Sequence, residues 1–254
     1  MELLAAAARV LRTYPLGETS LIAVLLTRER GLLRAVAKGA RRPKSAVRAL
    51  LEPGASLDAV LYLRPRGLHL VKELSPRGPL PRPAPGLEAL ALRLAPLELI
   101  LLTTQEGEAP AGLFDLIEDA MAADAAAGGM GWLAFFAFEA ALLRVHGLGL
   151  EPGHCGMCGR PLAPDRLRFL PGEAQFACPA CGGEGLDLAQ ASADCLNAIS
   201  LVRPSALAGR PLLAPVRRQV GRVLHLALSR HLPGYRLPRS LGMLGPARDE
   251  TAKE

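Results

Sequence analysis

Short aliphatic runs separated by turn signals fill the first quarter of the chain, and a three- and four-residue apolar rhythm replaces them afterwards. Residues 10–14, 21–27, 32–37, 56–63 and 68–74 are runs of strand length, parted by turns such as Pro15-Leu16-Gly17 and Arg28-Glu29-Arg30-Gly31. Five such runs in about 75 residues predict a small antiparallel sheet closed on itself. Residues 45–51 fit a short helix instead. Residues 76–85 hold five prolines in ten positions. Proline lacks a backbone donor and disfavours helix in the residue before it, so this stretch reads as a linker.

Beyond it, Leu87, Leu90, Leu94, Leu97 and Ile100 recur at helical steps. Residues 111–127 and 132–146 predict two more helices. The second is apolar nearly all round (Trp132, Phe135, Phe136, Phe138, Leu142 and Leu143), which places it in a core. After a glycine-, proline- and cysteine-rich stretch, residues 186–201 and 215–231 predict the last helices. The latter sets Val216, Val220, Val223 and Ala227 on one face and Arg218, Arg222 and His225 on the other. The pattern divides the chain into a barrel at 1–78, a linker at 79–85, a helical domain at 86–150, a cysteine knuckle at 151–185, and C-terminal helices at 186–247 packing with the helical domain. The class is α+β, multidomain.

Charge sharpens this. The 254 residues carry a formal net charge of +6, and the pI is about 9.4. The charge is segregated. Residues 30–51 hold seven bases and no carboxylate, residues 88–139 nine carboxylates and one base, and residues 195–248 nine arginines and no carboxylate. The basic balance favours polyanions such as nucleic acid, or an acidic membrane surface, without choosing between them, and the basic–acidic–basic order suits a surface built for a charged partner. The opening MELLAAAARV has an acid where a signal peptide carries bases, and the most apolar stretch, 131–143, contains Glu139 and is too short to cross a bilayer. A soluble cytoplasmic, nucleoid-associated protein with no membrane partner is the expectation.

The strongest motif is Cys155-x2-Cys158, nineteen residues, then Cys178-x2-Cys181. Two C-x2-C loops aim four thiolates at one tetrahedral ion, and glycines beside the cysteines (Gly156, Gly159, Gly182, Gly183) permit positive backbone angles. One structural Zn2+ is expected, because four thiolates leave no position for water or substrate. Unmetallated thiols are the alternative. His154 is a possible competing ligand, and Cys195 reads as a small buried hydrophobe.

Lys38, Arg41, Arg42, Lys44 and Arg48 fall within eleven residues, among glycine, proline and serine. The cluster can track several phosphates, although an ordinary solvated loop accounts for the composition equally well. Arg217, Arg218 and Arg222 mark a second basic surface. The barrel segment has only Tyr14 and Tyr62 as aromatics. This scarcity favours contact to the nucleic-acid backbone, with little discrimination between single and double strands and a steep salt dependence. There is no phosphate-binding glycine loop, nucleophile elbow or HExxH pair. The acids at 88–124 read as solvated helix faces. No catalytic residue and no enzyme activity are expected. A zinc-containing scaffold that binds acidic proteins is the rival reading.

Two segments carry a resemblance. YPLGETSLIAVLLTRERGLLRAVAKGARRPKSA at 14–46, and FAFEAALLRVHGLGLEPGHCGMCG at 136–159 with CPAC at 178–181, resemble the RecO family of bacterial recombination mediators, in particular its zinc-containing members. The resemblance spans about Tyr14 to Arg239. It implies an OB-fold in the first domain and a zinc-ribbon-like four-cysteine knuckle inserted in the helical part. It further implies binding to ssDNA and dsDNA, annealing of complementary strands in DNA damage repair, and a complex with RecR. Displacement of single-stranded-DNA-binding protein in favour of RecA is implied as well. By motif match Lys38, Arg41, Arg42 and Lys44 become the first candidates for DNA contact. Since some family members lack the cysteines, the resemblance implies that zinc is not essential to the activity itself.

Overall fold

The computed structural model describes residues 2–108, 110–126, 128–163 and 167–245. Five strands, β1 (Glu2–Leu16), β2 (Ser20–Thr27), β3 (Gly31–Ala37), β4 (Ser56–Leu63) and β5 (His69–Pro76), close into a barrel of order β1-β2-β3-β5-β4. This is the OB-like architecture expected. A short helix, α1 (Ala46–Leu50), stands between β3 and β4, in the stretch whose pattern fitted one.

Two local expectations need correction. β1 begins eight residues before the run at 10–14. It pairs with β4 through Glu2–Arg9 and with β2 through Ala8–Leu16, so one strand serves two neighbours across a bulge between Val10 and Arg12. Alanine is depleted in strands, so the Ala5–Ala8 stretch sent no strand signal. Here its small side chains let the barrel wall close tightly. The sheet is also not wholly antiparallel: β3 and β5 meet in a short parallel seam, Ala35 opposite His69 and Val36 opposite Leu70. Ala8, Val10, Ala23, Leu25, Leu33, Ala35, Leu57, Ala59 and Leu61 fill the interior. The alternate residues of these strands face outward.

Helices α2 (Leu87–Thr103), α3 (Leu113–Ala126) and α4 (Gly131–Val145) follow the proline-rich stretch. Two compact units emerge. One joins the barrel, through Pro83, with Leu97–Glu118; the other comprises Ala84–Pro96 and the chain from Asp119. The helical domain at 86–150 is therefore divided. In the first unit, residues 97–118 bind the barrel wall. The Leu32 amide donates to the Glu108 carbonyl at 3.2 Å, and the Gly107 amide to the Leu32 carbonyl at 2.8 Å. Arg28 pairs with Asp115 at 2.7 Å and lies 4.5 Å from the Phe114 ring centre. Arg9, 8% exposed, donates to Glu118 and to the Gly54 carbonyl. The acids at 88–124 are thus not simply solvated faces. Several hold arginines, and Asp124 is buried against Arg93 at 2.7 Å.

In the second unit α4 is the centre. It packs against α5 (Gln190–Leu201), α6 (Ala214–His231) and the 3-10 turn Pro204–Leu207. Phe135, Phe136, Phe138, Leu142 and Leu143 are buried, as the all-round apolar pattern implied. The helix expected at 186–201 starts at Gln190, because Leu186–Asp187 forms β8, which pairs with β6 (Arg168–Leu170). β6 in turn pairs with β7 (Gln175–Ala177). A last turn of helix, α7, covers Arg239–Gly242.

Glu139 on α4 is 4% exposed, and burial pushes its carboxyl up to about 8 from the ordinary 4.5. Nearby, the Tyr235 hydroxyl lies 3.0 Å from His225 Nδ1, and burial together with Glu139 raises the phenol. The folded carboxyl keeps its proton up to about pH 8 while the unfolded one loses it near 4.5. Unfolding therefore releases a proton between these values, and stability falls as pH rises through that window. Glu139→Gln is expected to equal the wild type at pH 5 and to exceed it by about 1–3 kcal/mol at pH 8. Denaturant melts at several pH values check this; parallel pH profiles would refute it.

Candidate nucleic-acid interface and metal centre

The basic cluster sits where β3 leaves the barrel. Ala40 is fully buried in the barrel core, while Lys38, Arg41, Arg42, Lys44 and Arg48 around it are all exposed. One small apolar plug thus anchors a loop whose cations face solvent. The backbone is pinned as well. The Arg41 amide donates to the Thr19 carbonyl at 2.8 Å, and the Arg42 amide to Gly39 at 3.0 Å. The Arg41 guanidinium donates to the Gly17 carbonyl at 2.7 Å, tying the loop to the β1–β2 hairpin. Gly39 takes φ +70, and the Arg42 side chain lies over the face where a Cβ would stand. Lys44 itself has a positive φ of 62. Beyond it α1 turns Val47 and Leu50 onto the core and leaves Arg48 outside. Cations held on a fixed backbone lose less entropy on meeting phosphates than cations on a free loop.

Further barrel cations went unnoticed in the sequence. Arg12, Arg64, Arg66 and Lys72 are exposed. Between Asp58 and Glu73 there are three bases and no carboxylate. The Arg64 amide donates to His69 Nδ1 at 3.1 Å, which closes the β4–β5 turn. Arg64, Arg66 and Lys72 belong to the β4–β5 hairpin, and Arg12 stands on β1.

On α6, Arg218 and Arg222 are exposed on the polar face, and Val216, Val220, Val223 and Ala227 are buried opposite. Arg217 is half-buried. Its guanidinium lies 5.1 Å from the Trp132 ring centre, and the Trp132 indole N–H donates to Glu88. It is tethered where its two neighbours are free to reach outward.

The sulfur atoms of Cys155, Cys158, Cys178 and Cys181 all lie within 4.8 Å of one another. A tetrahedral ion with sulfur at about 2.3 Å holds its ligands about 3.8 Å apart; Cys158 and Cys178 stand at 3.9 Å. Four cysteines this close could hold a metal ion. His154 is exposed and outside the group. Two knuckle turns aim the thiols. In the first, the Gly159 amide donates to the Cys155 carbonyl at 2.7 Å; in the second, the Cys181 amide donates to the Cys178 carbonyl at 3.1 Å. Of the four adjacent glycines only Gly159 has a positive φ, +73; Gly156 is needed for space, since a Cβ there would overlap the Gln175 side chain. Four thiolates around a divalent ion would leave two negative charges, and Arg160 is placed to offset them, its Nε lying 3.4 Å from the Cys158 sulfur. Leu170 and Ala177 pack against Cys155 and Cys178, and the neighbouring Phe169 and Phe176 pair with each other, ring centres 5.4 Å apart. Gln219 of α6 bonds the Ala189 amide and the Asp187 carbonyl, fastening the knuckle to the helix behind it. Cys195 is half-buried, and burial raises its thiol to about 11.

Among the described residues no helix is long and apolar enough to cross a membrane. Comparison with known proteins matches residues 1–79 to the family described as Recombination protein O N terminal and residues 85–240 to Recombination protein O C terminal. The chain is 31% identical over 241 residues to the DNA repair protein RecO of Desulforudis audaxviator, covering 92% of this chain and 93% of that one. It is 34% identical over 256 residues to the DNA repair protein RecO of Anaeromyxobacter sp. strain Fw109-5, covering 93% and 94%. Against the DNA repair protein RecO of Chloroherpeton thalassium it is 34% identical over 182 residues, covering 71% and 69%.

Proposed function

The chain belongs to the Recombination protein O family of DNA repair proteins, and from that premise we propose that it is a DNA-binding recombination mediator with no chemistry of its own. The observation that carries this reading is the loop of five exposed cations pinned to the barrel rim. Phosphates are its natural ligands, because positioned Lys and Arg side chains displace condensed counterions without reading bases. The protein binds ssDNA and dsDNA through this loop. Arg218 and Arg222, with Arg217 beside them, form a second basic surface. Complementary strands repel each other as polyanions. A protein that neutralises both raises their local concentration and favours pairing without ATP.

With RecR, the protein helps RecA replace single-stranded-DNA-binding protein. The arginine-rich C-terminal lobe is the candidate receptor for that protein's acidic tail. Cys155, Cys158, Cys178 and Cys181 hold one structural zinc ion, which supplies rigidity to the knuckle and no reactive position. Strand annealing, measured with and without single-stranded-DNA-binding protein across a salt series, tests the reading. Acceleration over protein-free strands in both arms, fading as salt rises, is the expected result. Annealing no faster than in buffer would remove the proposal.

A further inference from the structure

The four clustered cysteines differ in their surroundings. Cys155 and Cys178 are buried with Leu170 and Ala177 in one apolar cluster, and Cys181 rests against it half-buried. Cys158 alone of the four is exposed, and so is the whole turn around it, residues 156–160. Its sulfur stands 3.9 Å from that of Cys178. The Arg160 guanidinium spans the pair, with Nε 3.4 Å from the Cys158 sulfur and Nη2 3.8 Å from the Cys178 sulfur. Cys178 directly follows β7, which pairs with β6, and β6 pairs with β8. Gln219 fastens this small sheet to α6. It donates to the Asp187 carbonyl at 2.9 Å and accepts from the Ala189 amide at 3.0 Å. Arg218 adjoins Gln219 in the chain, and Arg222 follows one turn later on the exposed face of α6.

We propose that Cys158 is an oxidation site for hydrogen peroxide, and that a Cys158–Cys178 disulfide made there opens the metal centre and releases α6 from the knuckle. The inference rests on the zinc and two-surface readings above and adds a modification that neither assigns. The Cys158 thiolate attacks one peroxide oxygen, the O–O bond breaks, and hydroxide leaves, so Cys158 becomes a sulfenic acid. The Cys178 thiolate then attacks the Cys158 sulfur and expels a second hydroxide. The two thiolates lose two electrons, peroxide gains them, and two protons from solvent turn both hydroxides into water. A disulfide joins two sulfurs at about 2 Å, whereas a tetrahedral ion joins four. Cys155 and Cys181 remain as ligands, too few to close the site. Strands of three, three and two residues lack the length to hold a sheet without that anchor. The Gln219 bonds open with it, and the basic face of α6 loses its backing. The barrel loop lies in the other compact unit and keeps its cations in place. Oxidation thereby separates holding a strand from annealing it.

The test treats reduced, zinc-loaded wild-type protein with substoichiometric hydrogen peroxide. A chromogenic chelator reads released zinc. Dimedone traps sulfenic acid in one arm, disulfides form in a second arm without it, and tandem mass spectrometry locates both products. Dimedone is expected first on Cys158, and zinc release is expected to keep step with a Cys158–Cys178 disulfide. First adducts on Cys155, Cys178, Cys181 or Cys195, a disulfide joining any other pair, or zinc retained after the disulfide forms would overturn the proposal. Strand annealing by the oxidised protein is expected to fall towards the protein-free rate while oligonucleotide affinity persists, and dithiothreitol with added zinc ion is expected to restore it. Annealing untouched by complete disulfide formation would refute the link to α6. Reduced protein isolated without zinc would instead remove the zinc reading, and zinc-loaded protein that never anneals would remove the mediator reading. The adduct map decides the oxidation site in either case.

Discussion

Arg41→Glu combined with Arg42→Glu is expected to weaken DNA binding about a hundred-fold at low salt, on single and double strands alike. A charge-assisted hydrogen bond contributes about 1.5–3 kcal/mol, and two such contacts are not only lost but turned repulsive. The side chains are exposed, so the barrel core does not register the change. The guanidinium bond from Arg41 to Gly17 does go, which loosens the loop against the β1–β2 hairpin. Arg42→Glu alone spares that bond and is expected to show roughly half the effect on a logarithmic scale. Fluorescence anisotropy with labelled oligonucleotides checks both variants, with thermal melts confirming the fold. Affinities within two-fold of wild type would exclude the loop from the DNA interface.

The second large effect is expected at the knuckle. Cys155 is 1% exposed, and Cys155→Ser removes a sulfur that also accepts a bond from the Cys178 amide. Elemental analysis is expected to fall from one zinc per chain to none. Structural zinc sites draw about 10 kcal/mol or more of folding free energy from the metal, so residues 151–188 are expected to lose order and become readily cleaved by protease. The Gln219 bonds to Ala189 and Asp187 would go with them, lowering the melting temperature of the second unit. The barrel loop belongs to the other compact unit, so affinity for short DNA is expected to stay within about three-fold of wild type, far from the hundred-fold loss above. Full zinc content in the variant would contradict a four-thiolate site.

Much of this was legible in the chain because the signals are local. Five aliphatic runs, a proline-rich break, an apolar helix at 132–146 and paired C-x2-C loops each sit within a few residues. The parts that escaped are set by pairing at a distance. The alanines at 5–8 carry no strand propensity, yet two neighbours draw them into β1. Acids at 106–118 looked like solvent-facing helix, but they meet Arg9, Arg28 and Arg34 on the barrel wall. Nor does any spacing announce the parallel seam between β3 and β5. Arg217 shows the same limit. It reads as one of three equivalent cations on a helix, and a tryptophan eighty-five positions earlier holds it.

The salt dependence of DNA affinity bears most directly on the proposed grip of the barrel loop on phosphates. If its five cations each displace a counterion, log K against log salt should fall with a slope of about −3.5 on a single strand, and Arg41→Glu with Arg42→Glu should make it shallower by at least about 1.4. A wild-type slope near zero, or one the double reversal leaves unchanged, would contradict the account.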